Sequence, residues 1–223
     1  MSKVKNIILV HGFWADASCY SEIIPTLLAE GYEVLAVQNP LTSLADDVAA
    51  TRRAMDRFEG NCILVGHSWG GFVITEVGND QRISGLVYIA ALAPDIDESM
   101  MDLMSKYGTP SPHFQEQNGF VWISQEGVEQ ILAHDLSAER KALIHTTQTP
   151  PCTSLPAAKA GNPAWKDKPS WYIVANDDKA VPPDLQRDLA QRMGATTVAV
   201  ASNHFPMISH PQEVLEVIRE ATR

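Results

Sequence analysis

Ser68 stands in Gly66-His67-Ser68-Trp69-Gly70-Gly71, a G-x-S-x-G pattern that follows the apolar run Ile63–Val65 and opens a stretch of helical periodicity. A serine on so tight a strand-to-helix turn is presented at a sheet edge with a helix N-terminus behind it. Glycine is needed at 66 and 70 because a Cβ there would collide with neighbouring backbone. Serine is a poor nucleophile at its own pKa, so covalent chemistry requires a base in hydrogen-bond reach and a carboxylate that fixes the base's tautomer. His204, in Ala201-Ser202-Asn203-His204-Phe205, is the candidate base, lying between the last strand-like run and the terminal helix pattern. The acid should follow the preceding strand, where Asn176-Asp177-Asp178-Lys179-Ala180-Val181-Pro182 offers two adjacent carboxylates that cannot both face one imidazole. The spacing to Val181-Pro182 favours Asp178 and leaves Asp177 as a solvated turn residue. Asp95 and Asp97, one strand earlier, are the alternatives.

Acyl transfer at Ser68 would also need N–H donors for a tetrahedral oxyanion. The turn itself supplies one, the backbone N–H of Trp69. The second is expected from His11-Gly12-Phe13-Trp14, directly after the first apolar run, with the Phe13 N–H pointing into the site and Gly12 permitting close backbone approach. His11 reads as a strand-end histidine hydrogen-bonded within the fold. Gly12, Trp14, Trp122 and Phe205 are the candidate substrate-binding residues. With Phe13 and Phe72 the aromatic ones would line an apolar pocket, although core packing explains any one of them equally well. His67, His113, His134, His145 and His210 take ordinary structural roles in this reading.

No H-E-x-x-H, Cys/His ligand spacing, G-x-x-x-x-G-K-[ST] loop or dinucleotide fingerprint occurs, so no metal and no cofactor is expected. Cys19, Cys62 and Cys152 are odd in number and far apart, which fits reduced thiols rather than a disulfide framework.

The elements that must position these residues are strand-like runs at Ile7–Val10, Val34–Val37, Ile63–Val65, Leu86–Ala91, Tyr172–Val174 and Thr197–Ala201. They alternate with helical patterns at Ser21–Glu30, Leu44–Phe58, Gly71–Asn79, Pro183–Met193 and Pro211–Thr222. Such alternation implies βαβ units. The expected fold class is α/β, with a mainly parallel central sheet, helices on both faces and ligands at the carboxyl ends of the strands. One stretch, about 94–168, departs from the rhythm, with two short helices near Glu126–His134 and Ala138–His145. It reads as a small helical lid within a single domain covering 1–223.

A chain of 223 residues with 45% hydrophobic and 20% charged residues suits one soluble globular domain. Its net charge of −10, without a basic cluster, opposes nucleic-acid and anionic-lipid binding. The run Ile7–Val10 is too brief for a signal segment or membrane span, so a cytoplasmic address with a small-molecule partner, no nucleic acid and no membrane is expected.

On the segments Val10-His11-Gly12-Phe13-Trp14, Val65 to Gly71 and Ser202-Asn203-His204, the sequence resembles the α/β-hydrolase superfamily over nearly its whole length. It resembles compact bacterial serine hydrolases and is similar to the plant methylesterase and hydroxynitrile lyase branch. The resemblance implies a triad Ser68-Asp178-His204 with oxyanion donors Phe13 and Trp69, most often used on carboxylic esters. Cofactor-free perhydrolases and oxygenases share this frame, as do amide and carbamate hydrolases and hydrolase-fold ligand receptors. The lyases of the plant branch resemble one another in carrying Thr after the first-strand His and Lys after the catalytic His. Here those positions are Gly12 and Phe205, which implies hydrolysis.

Overall fold

Short runs of Ile, Leu and Val without polar alternation suit strands covered on both faces, and two of them form the middle of the sheet. Every residue of β1 (Asn6–Val10) and β3 (Cys62–His67) is buried. The computed structural model describes residues 4–107 and 112–223. The opening Met1 to Lys3 and residues 108–111 of the expected lid lie outside these. Around β1 and β3 lie β2 (Glu33–Val37), β4 (Ile83–Ile89), β7 (Ser170–Ala175) and β8 (Thr196–Val200). All six pair in parallel, in the order β2-β1-β3-β4-β7-β8. The apolar run Thr197–Ala201 forms β8, yet as an edge strand it is largely exposed, Val198 at 37%. A single neighbouring strand leaves its outer side to solvent.

The chain passes from β1 outward to β2 and returns to place β3 on the other side of β1, so the winding reverses between β1 and β3. Register aligns Val10 with Gly66 and Gly66 with Tyr88. The loops that begin at His11 and Ser68 therefore leave the sheet side by side at its carboxyl edge, where open α/β sheets bind ligands.

The helices are α1 (Ile24–Ala29), α2 (Leu44–Met55), α3 (Trp69–Val77), α7 (Pro183–Met193), α8 (Pro206–Ser209) and α9 (Pro211–Ala221). Ser43 caps α2 by accepting from Asp46 N, with acids in the first turn and Arg52 and Arg53 in the last, complementing the helix dipole. The pattern over Ser21–Glu30 gives only α1, preceded by a 3₁₀ turn at Ala17–Tyr20. Pro25 lacks an N–H and fits only the first helical turn, which bars the helix from reaching back to Ser21.

Between β4 and β7 the excursion holds α4 (Met100–Met104), α5 (Gln125–Gly127) running into a π turn at Val128–Leu132, and α6 (Ala138–Thr147). These include the two short helices expected there. The same stretch also forms an antiparallel hairpin, β5 (Phe114–Gln117) and β6 (Phe120–Ile123), which the sequence reading did not contain. Three of its four β5 side chains are polar and all four are exposed, so the period-two apolar signal is absent. No helix among the described residues is long and apolar enough to cross a membrane.

Candidate active site

Ser68 closes β3 with φ 54° and ψ −121°, a backbone conformation that L-residues avoid unless the surroundings impose it. They do so through its own backbone: Ser68 N donates to Ile89 O at 3.2 Å, and Ser68 O accepts from Gly71 N at 3.0 Å and Leu92 N at 3.1 Å. A Cβ on Gly66 would lie 2.6 Å from Gly70 O, and one on Gly70 would collide with Val10 O, so the turn closes only with glycine at both positions.

The loops after β7 and β8 bring a carboxylate and an imidazole together. His204 Nδ1 and Asp178 Oδ2 are 2.7 Å apart, and both side chains are buried. Asp178 is also held from other directions: Ala180 N and Val181 N donate to Oδ1 at 2.7 and 3.0 Å, and Gln186 Nε2 donates to Oδ2 at 2.8 Å. A carboxylate so fully supplied with donors is held in one orientation. Asp177 is exposed, and Asp97 is exposed with positive φ. Asp95 pairs with Lys166.

His67, next to Ser68 in the chain, contacts His204 in a way the sequence did not signal. Its Nε2–H donates to His204 O at 2.7 Å, and its ring centroid is 4.6 Å from that of His204. Burial, assisted by the neighbouring His204 and His11, pushes its pKa well below the ordinary imidazole value, so it is neutral. His11 is neutral for the same first reason, burial. Its Nδ1–H donates to Gly12 O at 2.8 Å and its Nε2 accepts from Asn39 N at 2.9 Å, which is the internal role expected of it.

Gly12 lies against the serine: a Cβ there would sit 2.5 Å from Ser68 Cβ and 3.0 Å from Ser68 Oγ. Phe13 N–H donates to no group among the described residues, and Trp69, first residue of α3, has no intrahelical acceptor for its N–H. Their rings stack at 4.9 Å, and Trp69 stacks on Phe72 at 4.6 Å, which makes Phe72 a core residue.

The other aromatic candidates are placed differently. Trp14 is buried, with its N donating to Thr149 O and its Nε1 to Val121 O at 2.7 Å, and its ring stacks on Phe114. It thus pins the β5–β6 hairpin to the loop after β1. Trp122 is 38% exposed in a surface groove with Pro40, Phe120 and Pro150, a groove that contains none of Ser68, Asp178 or His204. Phe205 is fully buried, its ring 5.0 Å from that of His67 and 5.6 Å from that of His204.

Three further contacts went unforeseen because each joins distant segments. His204 N donates to Leu132 O at 3.1 Å, Asn203 Nδ2 donates to Asp135 Oδ1, and His134 Nε2–H donates to Asp177 O at 2.9 Å. The turn after α5 is therefore stitched to both loops that carry the Asp178–His204 pair.

Residues 7–217 match the model described as alpha/beta hydrolase family. Among curated relatives, the alpha/beta hydrolase nvfD of Aspergillus novofumigatus is 27% identical, covering 96% of this chain and 95% of the relative. The pyrethroid hydrolase of Sphingobium wenxiniae is 28% identical, covering 97% and 87%. The crystal structure of polyneuridine aldehyde esterase superposes with a TM-score of 0.83 at 21% identity, covering 98% of this chain and 99% of the other. With its family model matched from the first strand into the last helix, on the six-stranded sheet described above, this chain belongs to the alpha/beta hydrolase family.

Proposed function

We propose that this hydrolase cleaves small, largely apolar carboxylic esters through an acyl-enzyme on Ser68. The observation that carries the reading is the buried 2.7 Å contact between His204 Nδ1 and Asp178 Oδ2, formed on the loops beside a serine held in the strained elbow conformation. Asp178 fixes the proton of His204 on Nδ1, which leaves Nε2 as the base that takes the Ser68 hydroxyl proton. The Ser68 oxygen attacks the ester carbonyl, and the resulting oxyanion is met by the N–H groups of Phe13 and Trp69. Collapse expels the alcohol with the proton returned from His204. Water activated by the same nitrogen then releases the acid and restores Ser68.

Gly12 supports the assignment, since any side chain there would press on Ser68 Cβ and Oγ. The 94–168 excursion serves as the lid, and Trp14 and the Leu132–Asp135 turn fasten it to the sheet loops. Relatives named pyrethroid hydrolase and polyneuridine aldehyde esterase are consistent with a small-molecule ester as substrate.

A panel of esters varying in acyl and alcohol size, scored by kcat/KM, tests the reaction type, and a serine-directed phosphonate tests the nucleophile. The expected results are turnover of short apolar esters, labelling at Ser68, and a fall in kcat of about 10⁴ to 10⁶ in Ser68→Ala. Labelling at another residue, or full activity in Ser68→Ala, would overturn the proposal.

A further inference from the structure

Asp47 sits on the side of α2 that turns inward, among the buried residues Ala50, Thr51, Ala54 and Met55. It is fully buried, and among the described residues the only other buried carboxylate is Asp178. An isolated buried charge is costly unless its oxygens are bonded. Here each has a donor: Leu41 N reaches Oδ1 and Trp69 Nε1 reaches Oδ2, both at 2.8 Å.

The second bond bears on the active site. Trp69 follows Ser68, and its backbone N–H is one of the two oxyanion donors proposed above. Its indole stacks on Phe13, whose backbone N–H is the other. A stacked ring can still rotate in its own plane, because stacking is weakly directional, whereas a charge-assisted bond from Nε1 fixes that rotation. The same carboxylate, through Leu41 N, holds the loop between β2 and α2 in the left-handed conformation that Leu41 adopts at φ 54°.

Resting on the Ser68 reading, we propose that Asp47 is a positioning residue for the oxyanion hole: by fixing the Trp69 indole it aims the Trp69 amide and, through the ring stack, the Phe13 amide. Asp47 touches no reacting atom. Its effect comes from the steep dependence of catalysis on sub-ångström placement of donors.

The test compares wild type with Asp47→Asn, Trp69→Phe and the double variant. Asparagine keeps the size of the carboxylate but turns an NH₂ group toward one of the two N–H donors, and phenylalanine keeps an aromatic ring while removing the indole donor. Each single variant should lower kcat on a hydrolysed ester by about 10- to 100-fold with KM within about twofold. Affinity for a trifluoromethyl ketone that forms a tetrahedral adduct on Ser68 should fall by a similar factor, and the double variant should lose no more than either single. In proton–nitrogen correlation spectra the Trp69 indole signal, identified by its loss in Trp69→Phe, should move in Asp47→Asn.

Wild-type kcat and adduct affinity in Asp47→Asn would overturn the proposal. So would an unmoved Trp69 indole signal, a loss confined to KM, or losses that multiply in the double variant. Should Asp47→Asn fail to fold, Trp69→Phe decides through the same split between kcat and KM and the same adduct affinity. A wild-type protein that hydrolyses no ester and resists the phosphonate refutes the esterase proposal and this one with it. An active wild type with an unaffected Asp47→Asn refutes this one alone.

Discussion

His67 Nε2–H and the carbonyl oxygen of His204 meet at 2.7 Å, so the residue beside the proposed nucleophile holds the backbone of the proposed base. Replacing His67 by phenylalanine leaves that buried carbonyl without a donor, at a cost of about 1–3 kcal/mol, and frees the base to drift. Urea unfolding should show that loss, and kcat should fall about tenfold or more. His67→Gln, which retains an N–H donor, should lose less on both measures. Identical behaviour of the two variants would show that the hydrogen bond is not what matters.

Asp178 accepts from three donors besides His204, whereas the exposed Asp177 bonds through its backbone, its N donating to Ser202 O at 3.0 Å and its carbonyl accepting from His134. Asp178→Asn should cost about 10³ to 10⁴ in kcat because the amide no longer enforces the required His204 tautomer. Asp177→Asn should leave kcat within about twofold. Steady-state kinetics of the two variants on one ester checks this, and equal losses would refute the assignment.

Position 12 has no room for a side chain, since a Cβ would meet Ser68 Cβ at 2.5 Å. Gly12→Ala should therefore displace the serine turn, costing about 1–3 kcal/mol of stability and lowering kcat by about 10²-fold. The same bare position carries no threonine hydroxyl for a cyanohydrin, and Phe205 after the base carries no charge for departing cyanide. Wild type should release no useful cyanide from mandelonitrile. Release far faster than hydrolysis of the ester panel would reverse this conclusion.

Burial holds the Asp47 carboxyl at about 6, against an ordinary value of 3.8; Asp46 adds to the rise, and the Trp69 and Leu41 donors oppose it. An acid with a raised native pKa binds its proton more tightly when folded. Its stabilising contribution is thus complete below about pH 4 and is lost as pH rises through about 6. At about 1.4 kcal/mol per pH unit the gap corresponds to about 3 kcal/mol. The stability of wild type relative to Asp47→Asn should accordingly fall by that order between pH 4 and pH 7, read from urea unfolding at each pH. A difference that stays flat with pH would contradict it.

What the sequence determined by itself rests on local rules. Apolar runs and turn residues identify the strands and the α/β class. Gly66 and Gly70 identify the serine turn, because its backbone admits no side chain at either position. The positions of Asp178 and His204 follow from the order of elements, since loops after successive parallel strands must open at the same edge. The buried Asp47 left a trace too, an acid in register with Ala50 and Ala54 on an apolar helix side, though nothing local says what it binds.

Tertiary structure alone decided which groups meet. The bond from Trp69 to Asp47 spans 22 positions, that from His67 to His204 spans 137, and the stitch from Asn203 to Asp135 spans 68. Each pairing depends on how strands are ordered in the sheet and how the excursion folds back over it. Neither is encoded in the periodicity of a single segment. The β5–β6 hairpin is the same case: β5 is too polar and exposed to announce itself, and the hairpin is held by Trp14 and by the Pro151 carbonyl, which accepts from Val121 N at 2.9 Å.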